Sequence, residues 1–225
     1  MAGELPVQPS GERVLADQAA FEAAFTGLLQ VDPRLEPLAQ LTGIPALRRR
    51  PAGFAGLLGM VVAQQLSVAA ARAISARLDE VLGGAATTGG FLRATPEALR
   101  AAGLSAPKIR TLTGLATALD SGAVDLDAIG RSPAEAAVAE LMRLPGVGRW
   151  TADLYLLFSL GRADAFPSGD LALQVALGEA FALGGRCTEE GALAIAEDWR
   201  PWRGVAAHLL WAYYGARRAR AGVPG

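Results

Sequence analysis

Two features of LPGVGRWTADLYLLFSLGRADAFPSGD, residues 144–170, could do chemistry: a Pro-Gly-Val-Gly turn and a carboxylate, Asp170. Gly146 and Gly148 leave backbone amides uncovered at the start of a helix, where free N–H groups and the helix dipole favour an anion such as a phosphate. A helix on each side of this turn forms a helix-hairpin-helix, which grips one DNA strand by its backbone without contacting the bases. Taken alone, the turn also fits an ordinary connection between helices, and Asp170 also fits an ordinary helix cap.

The composition is that of a globular protein and limits the sites that the chain can build. Of 225 residues, 52% are hydrophobic and 19% are charged, which excludes disorder of the whole chain. The net charge of −1 confines any polyanion site to a local patch, and the arginine clusters 48–50 and 217–220 are expected on solvated surface. Neither a signal peptide nor an apolar run of membrane-spanning length is evident, so we expect a cytoplasmic protein with no membrane partner.

Cysteine and histidine are too scarce for several classes of site. Cys187 is the single cysteine, which excludes internal disulfides, a four-cysteine zinc site and a four-cysteine iron–sulfur cluster. His208 is the single histidine, which argues against a multi-histidine metal site. We expect His208 to be a packed residue rather than a catalytic one.

Apolar residues recur at helical spacing along nearly the whole chain, which predicts an all-α fold. Residues 1–15 are expected to form a flexible arm, followed by about ten or eleven helices. Capping side chains predict several helix starts, at Asp17, Ser67, Thr95, Ser105 and Ser132. The predicted helical segments are 17–30, a stretch after Pro33, 51–84 divided near Gln64–Ser67, 94–103, 105–122, 132–144, a helix from about Gly148, 168–183, 188–199 and 201–220.

Residues 144–170 closely resemble the helix-hairpin-helix, Gly/Pro-rich loop and catalytic aspartate of the helix-hairpin-helix-GPD DNA glycosylase superfamily. Within it, the 3-methyladenine DNA glycosylase II group is the most similar. The resemblance extends to VVAQQLSVAAARAISARL, LRAAGLSAPKIRTLTGLA and EDWRPWRGVAAHLLWAYY, in the family's order, and covers most of residues 30–215. It implies two intimately packed helical subdomains within residues 16–225, with the hairpin and with the active-site cleft between them.

The resemblance implies a role for individual residues of this chain. Asp170 matches the catalytic aspartate, which stabilises the cationic sugar that develops as the glycosidic bond breaks and orients or deprotonates water. Trp150 and Trp211 match aromatic positions that line the base pocket, with packing in the core as their alternative role. The other matched positions form three groups: Gly146, Gly148, Thr151 and Lys108 for phosphate binding; the backbone carbonyls of Met142, Leu144 and Val147 for a monovalent cation, Na+ or K+; and Gln65 or Leu66 for the wedge that fills the gap left by the flipped base.

Departures from the family pattern narrow the expected activity. Relatives that also cut the backbone carry a Schiff-base lysine where this chain has Trp150, so AP-lyase activity is not expected. Relatives with an iron–sulfur cluster carry four cysteines after the last helices, whereas Cys187 is the single cysteine here, and no cofactor is expected for the chemistry itself. The N-terminal part is too short for the extra β domain of one longer bacterial member, so we expect no separate β domain.

The sequence therefore predicts a monofunctional DNA glycosylase acting in base excision repair. It would flip an alkylated purine of the 3-methyladenine or 7-methylguanine type out of duplex DNA and hydrolyse its N-glycosidic bond. Its partner would be double-stranded DNA with damaged bases, and we expect a monomer. A non-catalytic DNA-lesion-binding module on the same fold is the alternative, which Asp170 disfavours because a carboxylate repels phosphates. A plain helical interaction protein is disfavoured by the hairpin glycines.

Overall fold

The computed structural model describes Val7 and residues 11–220. In this part of the chain the regular secondary structure is helical, which confirms the all-α prediction. The chain divides into two compact units, one from the described parts of Met1–Arg49 and Leu156–Gly225 and the other from Arg50–Tyr155. Within the same described residues, no helix is both long enough and apolar enough to cross a membrane.

The helices follow most of the predicted segments. In chain order they are α1 (Gln18–Val31), α2 (Glu36–Thr42), α3 (Phe54–Ala63), α4 (Val68–Leu82), α5 (Thr88–Arg93), α6 (Pro96–Ala101), α7 (Ala106–Asp120), α8 (Leu126–Arg131), α9 (Ala134–Leu141), α10 (Arg149–Leu154), α11 (Leu171–Ala180), α12 (Glu189–Glu197) and α13 (Arg203–Arg220). A 3-10 helix, Pro33–Leu35, precedes α2, and a π-helical turn, Tyr155–Ser159, follows α10. The prediction missed α5 and α8, which at six residues each are too short to show clear helical periodicity.

Side-chain caps explain where several helices begin. Four predicted caps are confirmed, because each side chain accepts a hydrogen bond from a first-turn backbone N–H: Asp17 at α1, Ser67 at α4, Thr95 at α6 and Ser105 at α7. The predicted start at Ser132 is wrong. Ser132 ends α8, where its hydroxyl donates to the carbonyl of Ala128, and α9 follows Pro133 without a side-chain cap.

The flexible arm predicted for residues 1–15 is wrong at its C-terminal end. Leu15 is fully buried and its N–H donates to the carbonyl of Gly161 at 2.7 Å. Glu12 pairs with the buried Arg162 at 2.8 Å. These contacts fix residues 12–15 to the segment that follows the π-helical turn, while residues 1–6 and 8–10 lie outside the described residues.

Helix α13 is the central element of the first unit. It packs against α1, α2, α11 and α12, and all residues from Gly204 to Leu210 are buried. Gly204 allows the start of α13 to lie directly on the chain before Asp170, because an added Cβ would stand 2.8 Å from the carbonyl oxygen of Ala163. The loop that carries Asp170 is therefore seated on the first turn of α13.

Helix α3 is the central element of the second unit. Seven of its ten residues are buried, and it packs against α4, α7 and α10. Its start is held by Tyr155, whose hydroxyl accepts a hydrogen bond from the N–H of Gly53 at 2.9 Å. Because α10 and the end of α3 belong to one packed group, the predicted hairpin and the predicted wedge residues lie in the same unit.

A buried hydrogen-bond network supports the first unit around Trp199. The indole Nε1 of this fully buried residue donates to Oδ2 of Asp32 at 2.7 Å. Arg34 donates to both carboxylate oxygens of Asp32. Hydrogen bonding by Arg34 holds the pKa of Asp32 below its usual value, against an opposing effect of burial and with help from Trp199.

The lowered pKa of Asp32 predicts a pH dependence of stability. Asp32 contributes stability above its usual pKa of 3.8, and this contribution is lost as the pH falls through the lower folded pKa. We expect Asp32→Asn to reduce the free energy of unfolding at pH 7 by about 1–3 kcal/mol. The difference from the native protein should shrink as the pH is lowered below 3.8.

Urea unfolding across this pH range measures the effect, with Asp198→Asn as the matched control. Asp198 also pairs with Arg34, at 3.5 Å, but is 71% exposed. Its loss should change the stability by less than about 0.5 kcal/mol. Equal losses from the two substitutions would contradict the role of the buried network.

Candidate functional site

The predicted hairpin is a tight turn between α9 and α10. The N–H of Val147 donates to the carbonyl of Leu144 at 3.2 Å, and Gly146 has a φ of 73°. A Cβ on Gly146 would lie 2.3 Å from Cγ2 of Thr111, so the turn is closely packed there. Gly148 instead faces open space, since a Cβ would meet nothing within 4 Å, and it begins α10 without a side-chain cap. The start of α10 is thus uncovered at Gly148, on the side from which an anion would approach a helix N-terminus.

Gln64, at the end of α3, connects to this hairpin. Its Nε2 donates to the carbonyl of Gly146 and to Oγ1 of Thr151, both at 3.2 Å. Thr151 is only 2% exposed, and its hydroxyl is directed into the protein, where it accepts from Gln64. Sequence analysis missed Gln64; the only signal was its place where the long segment 51–84 divides.

Lys108 makes internal contacts where sequence analysis predicted a phosphate contact. Its Nζ donates to the carbonyls of Val62 at 2.6 Å and of Gln64 at 2.8 Å, at the C-terminal end of α3. Free carbonyls and the helix dipole both favour a cation at such an end. Burial lowers the pKa of the Lys108 ammonium below its ordinary value. In this structure two of the three ammonium N–H groups are bonded within the protein, and the predicted phosphate contact of Lys108 stays a prediction.

The predicted wedge residues occupy the turn between α3 and α4. Gln65 has a φ of 57°, a left-handed conformation that is uncommon for a residue other than glycine. Gln65 and Leu66 are both exposed, so either side chain can reach a partner outside the protein. Trp150 lies in the same unit, half-buried in the first turn of α10.

The three carbonyls assigned to a monovalent cation belong to the end of α9 and the hairpin turn. Carbonyl oxygens are hard donors that suit Na+ or K+, and the side chains of Met142, Leu144 and Val147 do not enter the donor set. The carbonyl of Leu144 accepts the N–H of Val147 and retains a second lone pair. The donor chemistry of this turn therefore fits such an ion.

Asp170 is the N-cap of α11, and its carboxylate is held by three donors. Oδ1 accepts hydrogen bonds from the N–H groups of Ala172 at 3.0 Å and Leu173 at 3.1 Å, and from Nε1 of Trp211 at 3.1 Å. The cap that the isolated pattern suggested is therefore present, and the same carboxylate is bound to a predicted pocket residue. Asp170 is half-buried, so its surroundings are shielded without being closed to solvent.

The loop before Asp170 is fixed by its own hydrogen bonds. The N–H of Asp170 donates to the carbonyl of Pro167, and the buried Ser168 accepts at its carbonyl from Nε2 of Gln174, both at 2.9 Å. The hydroxyl of Ser168 donates to Glu189 at 3.3 Å. These contacts fix the backbone of the loop that leads into Asp170.

Trp211 belongs to a cluster of rings in the first unit. Phe158 stacks on it with ring centroids 5.4 Å apart, and the guanidinium carbon of Arg48 lies 5.7 Å from the centre of the same ring. Burial lowers the pKa of Arg48, while the nearby Asp170 carboxylate raises it. Arg48 is exposed, as expected from the sequence, but a run of arginines gives no signal that one of them lies over an aromatic ring.

His208 is a packed residue, as expected from the sequence. It is buried beside Phe21, Phe158 and Trp211, and its Nδ1 bonds with the carbonyl of Gly204 at 2.8 Å. Burial lowers its pKa to about 4, so the ring is neutral at pH 7. It supports the ring that contacts Asp170.

The predicted site residues thus fall into two groups, one in each unit. Asp170 and Trp211 are bonded to each other in the first unit. The second unit holds the hairpin glycines, the carbonyls assigned to a monovalent cation, Thr151, Lys108, the predicted wedge residues and Trp150. The family description "HhH-GPD superfamily base excision DNA repair protein" matches residues 58–201, which include the wedge turn, the hairpin and Asp170.

This chain belongs to the HhH-GPD superfamily. Among relatives of this HhH-GPD protein, DNA-3-methyladenine glycosylase 1 of Schizosaccharomyces pombe is 34% identical over 164 residues, which cover 69% of each chain. The solved Schizosaccharomyces pombe 3-methyladenine DNA glycosylase (Mag1) in complex with abasic DNA is 30% identical with a TM-score of 0.75, covering 84% of this chain and 94% of that chain.

A third relative is much longer than this HhH-GPD chain. The probable bifunctional transcriptional activator/DNA repair enzyme AlkA of Mycobacterium tuberculosis is 37% identical over 110 residues, or 48% of this chain. The chain spans only 21% of the length of that relative. The similarity therefore concerns the repair-protein fold described above and not the whole of the longer protein.

The contrasting surroundings of the two hairpin glycines predict different effects of alanine. Gly146→Ala should reduce the free energy of unfolding by about 1–3 kcal/mol, because the positive φ and the contact with Thr111 both oppose a Cβ. Gly148→Ala should stay within about 0.5 kcal/mol, because its φ of −92° suits any residue and its Cβ would meet open space. Urea unfolding measures both, and equal losses would contradict the packing of this turn.

Proposed function

We propose that this chain is a monofunctional DNA glycosylase that flips an alkylated purine out of duplex DNA and hydrolyses its N-glycosidic bond in base excision repair. The observation that carries this proposal is the Asp170 carboxylate, held by three donors beside Trp211 in a chain of the HhH-GPD superfamily. The names of the relatives, DNA-3-methyladenine glycosylases, support the substrate class.

Asp170 supplies the charge for the proposed reaction. As the bond between C1′ and the base nitrogen breaks, its electron pair leaves with the base and positive charge develops on the sugar. A carboxylate that is already oriented stabilises this charge without having to reorganise. Water then attacks C1′, and Asp170 orients the water or takes its proton. A cationic alkylated purine is a good leaving group because it departs as a neutral base.

The non-catalytic alternative is not favoured. A module that only binds lesions gains nothing from a half-buried carboxylate fixed by three donors, and the charge repels phosphates. The relatives are named as glycosylases and as repair enzymes. The absence of a lysine at position 150 supports hydrolysis without backbone cleavage.

Trp211 and Trp150 are proposed to stack the flipped base. The guanidinium of Arg48 lies over the Trp211 ring, so a cationic purine that stacks on this face would have to displace it. Such a contact contributes roughly 0.5–2 kcal/mol to binding of a cationic ligand. For Trp150, the support is its half-buried position after the hairpin together with the family resemblance.

The second unit is proposed to hold the DNA. The first-turn N–H groups of α10 would bind a backbone phosphate, and the turn at Gln65 and Leu66 would fill the space left by the base. The carbonyls of Met142, Leu144 and Val147 would hold Na+ or K+, which supplies positive charge to a phosphate when bound. The partner is double-stranded DNA with damaged bases; the monomeric state and cytoplasmic location expected from the sequence remain predictions.

Asp170→Asn removes the negative charge of the proposed catalytic residue while keeping its size and shape. Asparagine can still cap α11 and accept from Trp211, so the fold and DNA binding should be retained. Excision should fall by about 10²-fold or more because the negative charge is lost. Single-turnover base release from a duplex containing 3-methyladenine or 7-methylguanine measures the rate, and affinity for an abasic-analogue duplex measures binding.

Glu189→Gln is the matched control, because it removes a neighbouring carboxylate that contacts Ser168 on the same loop. Its excision rate should change by less than about threefold. Wild-type rates in Asp170→Asn would show that Asp170 is only a helix cap. The same assay should include uracil and 8-oxoguanine: if these are the best substrates and methylated purines are untouched, the proposed specificity is wrong although Asp170 keeps its role.

Gly148→Asp tests the proposed phosphate site. Aspartate favours the N-cap position and meets open space there, so the fold should not be disturbed. Its negative charge should weaken binding of damaged and undamaged duplexes alike, by about tenfold at low salt. Gly148→Ala controls for the added side chain without charge. Equal affinities of Gly148→Asp and the native protein would show that the hairpin is not part of the DNA interface.

A further inference from the structure

The turn between α3 and α4 contains a residue in an uncommon backbone conformation. Because the side chains of this turn are exposed, their packing does not hold that conformation. Gln65 adopts the left-handed region at φ 57°, and both Gln65 and Leu66 are exposed. A strained residue of this kind persists only where its surroundings fix it. The contacts that support Gln65 are made by the residue before it, Gln64.

Lys108 fixes the backbone immediately before Gln65. The carbonyl of Gln64, which accepts from Nζ of Lys108 at 2.8 Å, belongs to the peptide group that joins Gln64 to Gln65. The second bond of Lys108, to the carbonyl of Val62 at 2.6 Å, anchors the same ammonium to the last turn of α3. The orientation of the peptide that leads into the strained residue is thus set by a charged donor from α7.

The side chain of Gln64 also bonds this part of the chain to the hairpin. Its Nε2 donates to the carbonyl of Gly146 and to Oγ1 of Thr151, one partner in the turn and one in the first helical turn of α10. Gln64 is therefore held twice, at its carbonyl by Lys108 and at its side chain by the hairpin. No part of this arrangement needs the side chains of Gln65 or Leu66.

We infer that Gln64 and Lys108 are positioning residues that join the Gln65–Leu66 turn to the hairpin as one stiff element. This inference rests on the proposed function and extends it, because it couples the grip on a phosphate to the displacement of a base. A side chain that enters the base stack must resist the force of stacked neighbours. A turn that is hydrogen-bonded to the hairpin transmits that force to the DNA backbone bound by the hairpin. A turn without these bonds would move instead of displacing the base.

The test uses Gln64→Met and Lys108→Met, which keep side-chain length and remove the donors. Arg110→Met is the matched control, since it removes one positive charge from an exposed position on the same helix, α7. Melting temperatures show whether each variant is folded. Two readouts follow: fluorescence of 2-aminopurine placed opposite a tetrahydrofuran abasic analogue at saturating protein, and single-turnover excision of 7-methylguanine that is either paired or opposite an abasic gap.

We expect both variants to lose most of the 2-aminopurine response while still binding the duplex. Excision of the paired lesion should fall by about tenfold, and excision opposite a gap by less than about threefold, because an unpaired base is displaced at low cost. Arg110→Met should match the native protein in both assays.

Two results would overturn the inference: native fluorescence in both folded variants, or equal losses on paired and gapped lesions. If one variant does not fold, the other decides. If the native protein gives the fluorescence response but releases no base from any duplex, the proposed function fails while the positioning role is still decided by the fluorescence.

Discussion

The hydrogen bond from Nε1 of Trp211 to Oδ1 of Asp170 is the interaction on which the proposed chemistry depends. It joins α13, the central helix of the first unit, to the cap of α11. Because the bond is short-range and directional, the carboxylate is correctly placed only if α13 is correctly seated. Gly204 permits that seating by letting α13 approach the backbone of residue 163, and the Phe158 ring supports Trp211 from a stacked position. The packing of α13 therefore also determines the orientation of the Asp170 carboxylate.

Most cationic side chains around the hairpin form hydrogen bonds or ion pairs within the protein. Lys108 binds the carbonyls at the end of α3, and Arg149, in the first turn of α10, pairs with Glu135 at 3.0 Å and Asp153 at 3.1 Å. A phosphate bound as proposed would therefore be held mainly by backbone N–H groups of the hairpin. This accords with a net charge of −1, since a site built from backbone donors needs no broad basic surface.

One sequence motif contributes residues to both units of the chain. Residues 144–170 cross from the second unit to the first between Tyr155 and Leu156. The part before this boundary forms the hairpin, and the part after it leads to Asp170. The spacing between Trp150 and Asp170 is thus the length of chain that leads from the first turn of α10 to the N-cap of α11.

The sequence by itself determined the helical class, the family and most helix starts, because caps such as Ser67 and Ser105 bond with N–H groups only three residues away. It also placed Asp170 and the hairpin glycines, whose roles depend on local backbone geometry. Only the tertiary structure decided the partners of Lys108, Gln64 and Arg48. The bond from Lys108 to Gln64 joins residues 44 positions apart, and that between Gln64 and Thr151 joins residues 87 apart. Such pairs form only when α3, α7 and α10 pack together, and no local pattern encodes which distant carbonyl or hydroxyl a long side chain will meet.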